Sequence, residues 1–172
     1  MKSSIVIIFI CCLSLNSYCQ EKSNNPDDST HSFNFILKFG VANKNIINTF
    51  NHTFTKDLVM GPDTTISLYL SELELDTIKA EMERIHILDY PKIFTPPWRD
   101  NPNVYDMTVF PNSSYYLKIQ FGNQIKEVSW DDSNDSKINI AKKLRGIISK
   151  IIKIIVNKEE YKKLPNSRAA YQ

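Results

Sequence analysis

From Tyr115 to Trp130 the chain alternates large apolar and polar residues on either side of a Gly122-Asn123 pair. That pattern reads as a β-hairpin closed by a two-residue turn, with glycine at the first turn position as a type II′ turn prefers. In this register Tyr115 faces Trp130, Leu117 faces Val128 and Lys118 faces Glu127. One face then carries Tyr115, Leu117, Ile119, Phe121, Val128 and Trp130. The other carries Tyr116, Lys118, Gln120, Ile125, Glu127 and Ser129. A three-residue loop would set Ile119 against Glu127 and lose the opposite-charge pair, so the two-residue turn is favoured.

Ahead of the hairpin, Phe33, Phe35, Leu37 and Phe39 recur at period two and predict a half-buried strand. Asn45 to Val59, rich in Thr, Ile and Phe, reads as a second extended stretch, with Phe50 and Phe54 on one face and His52 at mid-strand. Gly61-Pro62-Asp63 breaks it, and Ile66, Leu68 and Leu70 predict a short third strand. Ser71-Glu72-Leu73-Glu74 is a capping box, opening a helix that buries Leu75, Ile78, Met82 and Ile85. Pro91 pushes Tyr90 out of helical geometry. The last helix runs from about Lys137 to near Lys158, with Ile140, Leu144, Ile147, Ile148, Ile151, Ile152 and Ile155 on its apolar face. These elements predict an α+β fold of two layers, an antiparallel sheet carrying two helices on one face, in the order βββαββα.

The ends of the chain read differently. Met1 to Ser4 is a short positive segment, and Ile5 to Leu15 is apolar but too short to span a bilayer. With Ser17 and Cys19 at the −3 and −1 positions of a cut before Gln20, residues 1–19 read as a secretory signal peptide. A lipid anchor on Cys19 is the alternative, opposed by bulky Tyr18 just ahead of it. The protein is therefore expected to be exported, periplasmic or secreted. All three cysteines, Cys11, Cys12 and Cys19, fall in this leader, so cleavage before Gln20 leaves a disulfide-free chain without thiol chemistry. Residues 20–31 are polar and read as a disordered tether, 32–165 as a single domain and 166–172 as a frayed tail.

Charge is unevenly divided. Gln20 to Ser136 holds ten basic and seventeen acidic residues, whereas Lys137 to Gln172 holds ten basic and two acidic. A basic helix lying on an acidic body accounts for this. The sharper reading is a C-terminal part that grips an anionic partner such as a membrane surface. An exported chain without aromatics clustered on a basic strand surface gives no reason to expect nucleic acid.

Candidate chemistry is sparse. The Asp131, Asp132, Asp135 cluster fails as a calcium loop of EF-hand type, because Ser136 and Lys142 stand where glycine and glutamate are required. Carboxylates just ahead of a helix are ordinary caps. His31, His52 and His86 show no metal-ligand spacing, and no Gly-x-Ser-x-Gly elbow is present. No cofactor, metal or catalytic residue is assigned. A small hydrolase or metal-dependent enzyme using His86 with Asp131, Asp132 or Asp135 is the alternative to a non-enzymatic role. Asn51 and Asn112 head N-glycosylation patterns, which matter only in a eukaryotic secretory host.

The most site-like stretch is Thr95-Pro96-Pro97-Trp98-Arg99-Asp100, within a long proline-rich connection that also holds Tyr105. Trp and Arg are frequent interface anchors, so Trp98, Arg99 and Tyr105 are the binding candidates. The competing reading folds Trp98 back over the sheet. The order of strands, capped helix, hairpin and closing helix, with a leader ending Ser-Tyr-Cys, resembles small exported proteins of unknown function in Bacteroidetes-type bacteria. That resemblance implies no activity. The function expected is a non-enzymatic exported or envelope-associated binding module, its partner an unidentified protein or envelope component and its oligomeric state open.

Overall fold

The computed structural model describes residues 32–94, 113–131, 139–167 and 169–171. Seven strands form one sheet: β1 (Phe33–Val41), β2 (Asn45–Asn48), β3 (Thr53–Lys56), β4 (Thr64–Ser67), β5 (Ile93–Phe94), β6 (Ser113–Phe121) and β7 (Gln124–Asp131). Their order across the sheet is β4-β3-β2-β1-β6-β7-β5. Neighbours are antiparallel except for two-residue β5, which lies parallel to β7. Helices α1 (Glu72–Arg84), α2 (Asn139–Val156) and α3 (Glu159–Lys162) complete the described chain, with a 3-10 turn at Ile87–Asp89.

The hairpin has the register that its side-chain pattern predicts: Tyr115 pairs with Trp130, Leu117 with Val128, Lys118 with Glu127 and Phe121 with Gln124. Of the turn pair, Gly122 alone takes a positive φ (54°), as a type II′ turn requires. Leu117, Ile119, Val128 and Trp130 are buried, and Tyr115 stacks on Trp130 with ring centroids 4.5 Å apart. On the other face Tyr116 donates to Glu127 Oε1 at 3.2 Å. Strand β1 sits beside β6, with Leu37 opposite both Leu117 and Ile47, and Ile47 opposite Phe54. Register thus places one buried residue from each of five adjacent strands in a single row.

That row belongs to a core shared with Ile78 and Met82 of α1 and with Leu144, Ile148 and Ile151 of α2. The capping box forms as its spacing predicts: Glu74 N–H donates to Ser71 Oγ at 3.3 Å, and Ser71 N–H to Glu74 Oε2 at 2.7 Å. Opposite charges tie α1 to the C-terminal part of the chain, Glu81 to Lys150 on α2 and Glu74 to Lys158 just past it. At these two contacts the C-terminal basic charge meets the acidic body.

The element order differs from βββαββα. Asn45 to Val59 is two strands, because Asn48 Oδ1 accepts from Phe50 N–H at 3.0 Å and Asn51 N–H at 3.3 Å and turns the chain. Phe50 therefore lies at a turn, exposed, while Phe54 is buried. His52 takes left-handed geometry there (φ 52°) and stacks on Tyr69. Strand β4 ends at Ser67, leaving buried Leu68 beyond it. Strand β5 and helix α3 are further additions to the expected order. Within α2 the apolar face starts with buried Ala141, and Ile140 is 40% exposed. Helix α1 ends well before Pro91, whose predecessor Tyr90 is extended (φ −70°, ψ 147°), as expected ahead of proline.

Two contacts beyond α3 reach back to the sheet. Lys56 Nζ donates to the Pro165 carbonyl at 2.8 Å, and the Tyr171 hydroxyl donates to Asp57 Oδ2 at 2.6 Å.

Candidate functional site

Helix α1 stops because His86 enters the left-handed region (φ 56°, ψ 50°) one residue after the cap Ile85. Its N–H donates to the Glu83 carbonyl at 2.9 Å, and its own carbonyl accepts from Asp89 N–H at 3.0 Å. Glycine is the usual occupant of this post-helical position, since a Cβ there crowds the backbone. The tight 3-10 turn that follows sends Ile87 into the core and leaves Leu88 and Asp89 outside.

A groove of about 390 Å³ lies against this corner. Glu83, His86, Ile87, Leu88 and Asp89 line it from the helix end, and Phe121 and Gln124 line it from the hairpin. Phe121 and Gln124 are the last pair before the Gly122-Asn123 turn, so the hairpin register that packs Leu117 also brings these two to the groove. Phe121 is steadied by Phe33, with ring centroids 5.2 Å apart. Buried Ile87 and half-buried Phe121 make an apolar floor; Glu83, His86, Asp89 and Gln124 make a polar, exposed rim. The volume falls in the range of small-ligand sites, which pair an apolar lining with a few polar groups. Among the described residues no group of three or more His, Cys, Asp or Glu side chains could hold a metal ion.

A second polar cluster sits at the ends of β2 and β3. Asp57 is buried; its Oδ2 accepts from Tyr171 and its Oδ1 from Val59 N–H at 2.8 Å, while its own N–H donates to Asn45 Oδ1 at 3.1 Å. Burial alone would push its carboxyl up. The hydrogen bonds from Tyr171 and Val59, with the nearby Lys44 ammonium, outweigh that and hold it below the ordinary value. Lys44 Nζ also lies 5.6 Å from the centre of the Tyr171 ring. These bonds fasten Tyr171 to the end of β3.

Of the residues that the sequence singles out, His86 lines the groove, while His52 lies at the β2–β3 turn. Asp131 pairs with Ser114 at the open end of the hairpin, seven residues of strand from the Phe121–Gln124 pair. At roughly 3.3 Å per residue that is about 23 Å, so β7 carries the Asp131 backbone away from His86 rather than toward it. Asp132, Asp135, His31, Trp98, Arg99, Tyr105, Asn112 and the leader lie outside the described residues. Leu88, Phe121 and Gln124 have no sequence signal as a group, because they come together only when the helix end meets the hairpin turn. No protein-family model, curated protein or solved structure matches this chain.

Proposed function

We propose that this chain is a non-catalytic binding module acting outside the cytoplasm, and that it takes a small ligand, or one side chain of a partner, in the groove beside His86. The observation that carries the reading is the combination of an apolar floor and a polar rim in a concavity of about 390 Å³. A left-handed histidine at its edge adds support, since strained backbone gathers at functional sites. Trp98, Arg99 and Tyr105 remain candidate contacts for an envelope partner, on the ground of their residue types. The module is a two-layer one in this reading, with α1 and α2 on the face that carries Leu37, Leu117 and Val128. The core that these residues share with Ile78 and Ile148 supports that arrangement.

Amide shift mapping of the protein from Gln20 to Gln172 against a mixture of small aromatic fragments tests the binding role. Shifts confined to Glu83–Asp89 and Phe121–Gln124 are expected. A fragment set that moves only amides elsewhere would reject the groove. Export rests on the pattern of residues 1–19, and intact mass after expression of the full chain in a bacterium tests it. A mass beginning at Gln20 is expected, a diacylglyceryl adduct on Cys19 would mark a lipid anchor, and an intact Met1 end would reject export.

A further inference from the structure

We infer that the groove between the end of α1 and the hairpin turn selects a small organic cation with an apolar body, such as an arylalkyl ammonium. The inference rests on the reading of this groove as a binding site and adds the class of ligand. Two of its lining residues are carboxylates, Glu83 and Asp89, and none is Lys or Arg. On α1 the Arg84 side chain, next in sequence to Glu83, is engaged by Glu81 through two hydrogen bonds of 2.9 and 2.7 Å rather than by the lining carboxylates. The groove also opens at the C-terminal end of α1, where the aligned peptide dipoles present their negative pole. Charges of one sign on the walls of a concavity reinforce one another, concentrating ligands of opposite charge and repelling those of like charge.

The remaining surfaces agree with such a ligand. An ammonium has two or three N–H donors and no acceptor, so it is satisfied by carboxylate oxygens and by the side-chain carbonyl of Gln124. Phe121 and Ile87 offer its hydrocarbon part a floor to cover, and the face of an aromatic ring is itself attractive to a cation. A carboxylate or phosphate ligand would meet two like charges and no Lys or Arg among the lining residues, with the His86 imidazole the one basic side chain there. Neutral ligands would gain from the floor alone.

Three compounds of closely similar size separate these contributions: 2-phenylethylammonium, 2-phenylethanol and phenylacetate. Each is titrated into the protein while the amides of His86, Leu88, Phe121 and Gln124 are followed. The ammonium is expected to bind at least tenfold more tightly than the alcohol, and phenylacetate to leave these amides unmoved. The Glu83→Gln, Asp89→Asn double variant, changed at two exposed positions, should lose most of the preference for the ammonium and keep its affinity for the alcohol. If the alcohol or the acid binds as well as the ammonium, or the double variant keeps the preference, the cation class is overturned while the groove remains a binding site. If none of the three moves the lining amides, the inference fails and the binding role of the groove is itself contradicted.

Discussion

Leu117 and Val128 stand opposite one another on β6 and β7, 1% and 0% exposed, while the next pair along, Lys118 and Glu127, lies on the other face. A shift of one residue in either strand would turn every one of these side chains over. The buried pair therefore fixes where the turn falls, and with it the position of Phe121 and Gln124 in the groove.

Leu117→Ala should lower the free energy of unfolding by about 2 to 5 kcal/mol, the range for a leucine truncated in a packed core. Ile125→Ala on the same hairpin, at a side chain 63% exposed, should change it by less than about 0.5 kcal/mol. Denaturant unfolding of both variants measures the contrast. Equal losses would mean that the two faces are not distinguished as the register requires.

The Tyr171–Asp57 bond makes stability depend on acid. Because the folded state holds the Asp57 carboxyl below its ordinary value of 3.8, its contribution is fully present above that value and is lost as pH falls through the lower, folded one. Tyr171→Phe should lower stability near neutral pH by about 1.5 to 3 kcal/mol, the range for a hydrogen bond to a charged group. It should also flatten the fall in stability below pH 3.8. Unfolding curves from pH 7 down to about 2 show both effects, and parallel pH profiles for the two proteins would contradict the role given to Tyr171.

Glu74 serves two elements at once, its Oε2 accepting from the Ser71 N–H and hydroxyl at the start of α1 and from Lys158 just past α2. Ser71→Ala should cost about 1 kcal/mol, as loss of an N-cap does. Lys158→Met should cost about 0.5 to 1 kcal/mol, because this ion pair is only partly shielded from water. The two effects should not add, since both act through one carboxylate, and a double-mutant cycle reads the difference. Strict additivity would separate the cap from the helix–helix contact.

Local chemistry made the hairpin register, the capping box and most of the buried stripe of α2 legible from residue order, since each is settled by neighbours within one turn or one pair of strands. The split of β2 from β3 was not legible, because Phe50 and Phe54 fit one face of a continuous strand and the turn depends on where the Asn48 side chain points. Nothing local announces that Tyr171 bonds Asp57 or that Lys158 reaches Glu74, because the partners are 114 and 84 residues apart. The groove belongs to the same class. His86 was visible as a histidine near a helix end, but its left-handed backbone and its place opposite Phe121 are consequences of packing.

Left-handed backbone at a residue other than glycine is found also at Ala42, Asn43, His52 and Val59. Ala42-Asn43 close the β1–β2 hairpin, where two positive φ values suit the twist of the strands. Val59 is the most strained, its branched Cβ being least suited to this region. Val59→Gly should therefore raise stability, by about 0.5 to 1 kcal/mol once the greater freedom of glycine in the unfolded chain is subtracted. A lower denaturant midpoint would mean that Val59 is held by packing strong enough to outweigh its strain.

We take the His86 side chain to be part of the rim that the proposed ligand meets, which would keep histidine at a backbone position that glycine suits better, and His86→Gly tests this with one protein and two readings. Denaturant unfolding should show a gain of about 0.5 to 1 kcal/mol, since glycine takes this geometry without crowding. Titration with 2-phenylethylammonium, followed at the amides of Leu88, Phe121 and Gln124, should show weaker binding by the same protein. A variant that is less stable, or one that binds as the parent does, would contradict the claim.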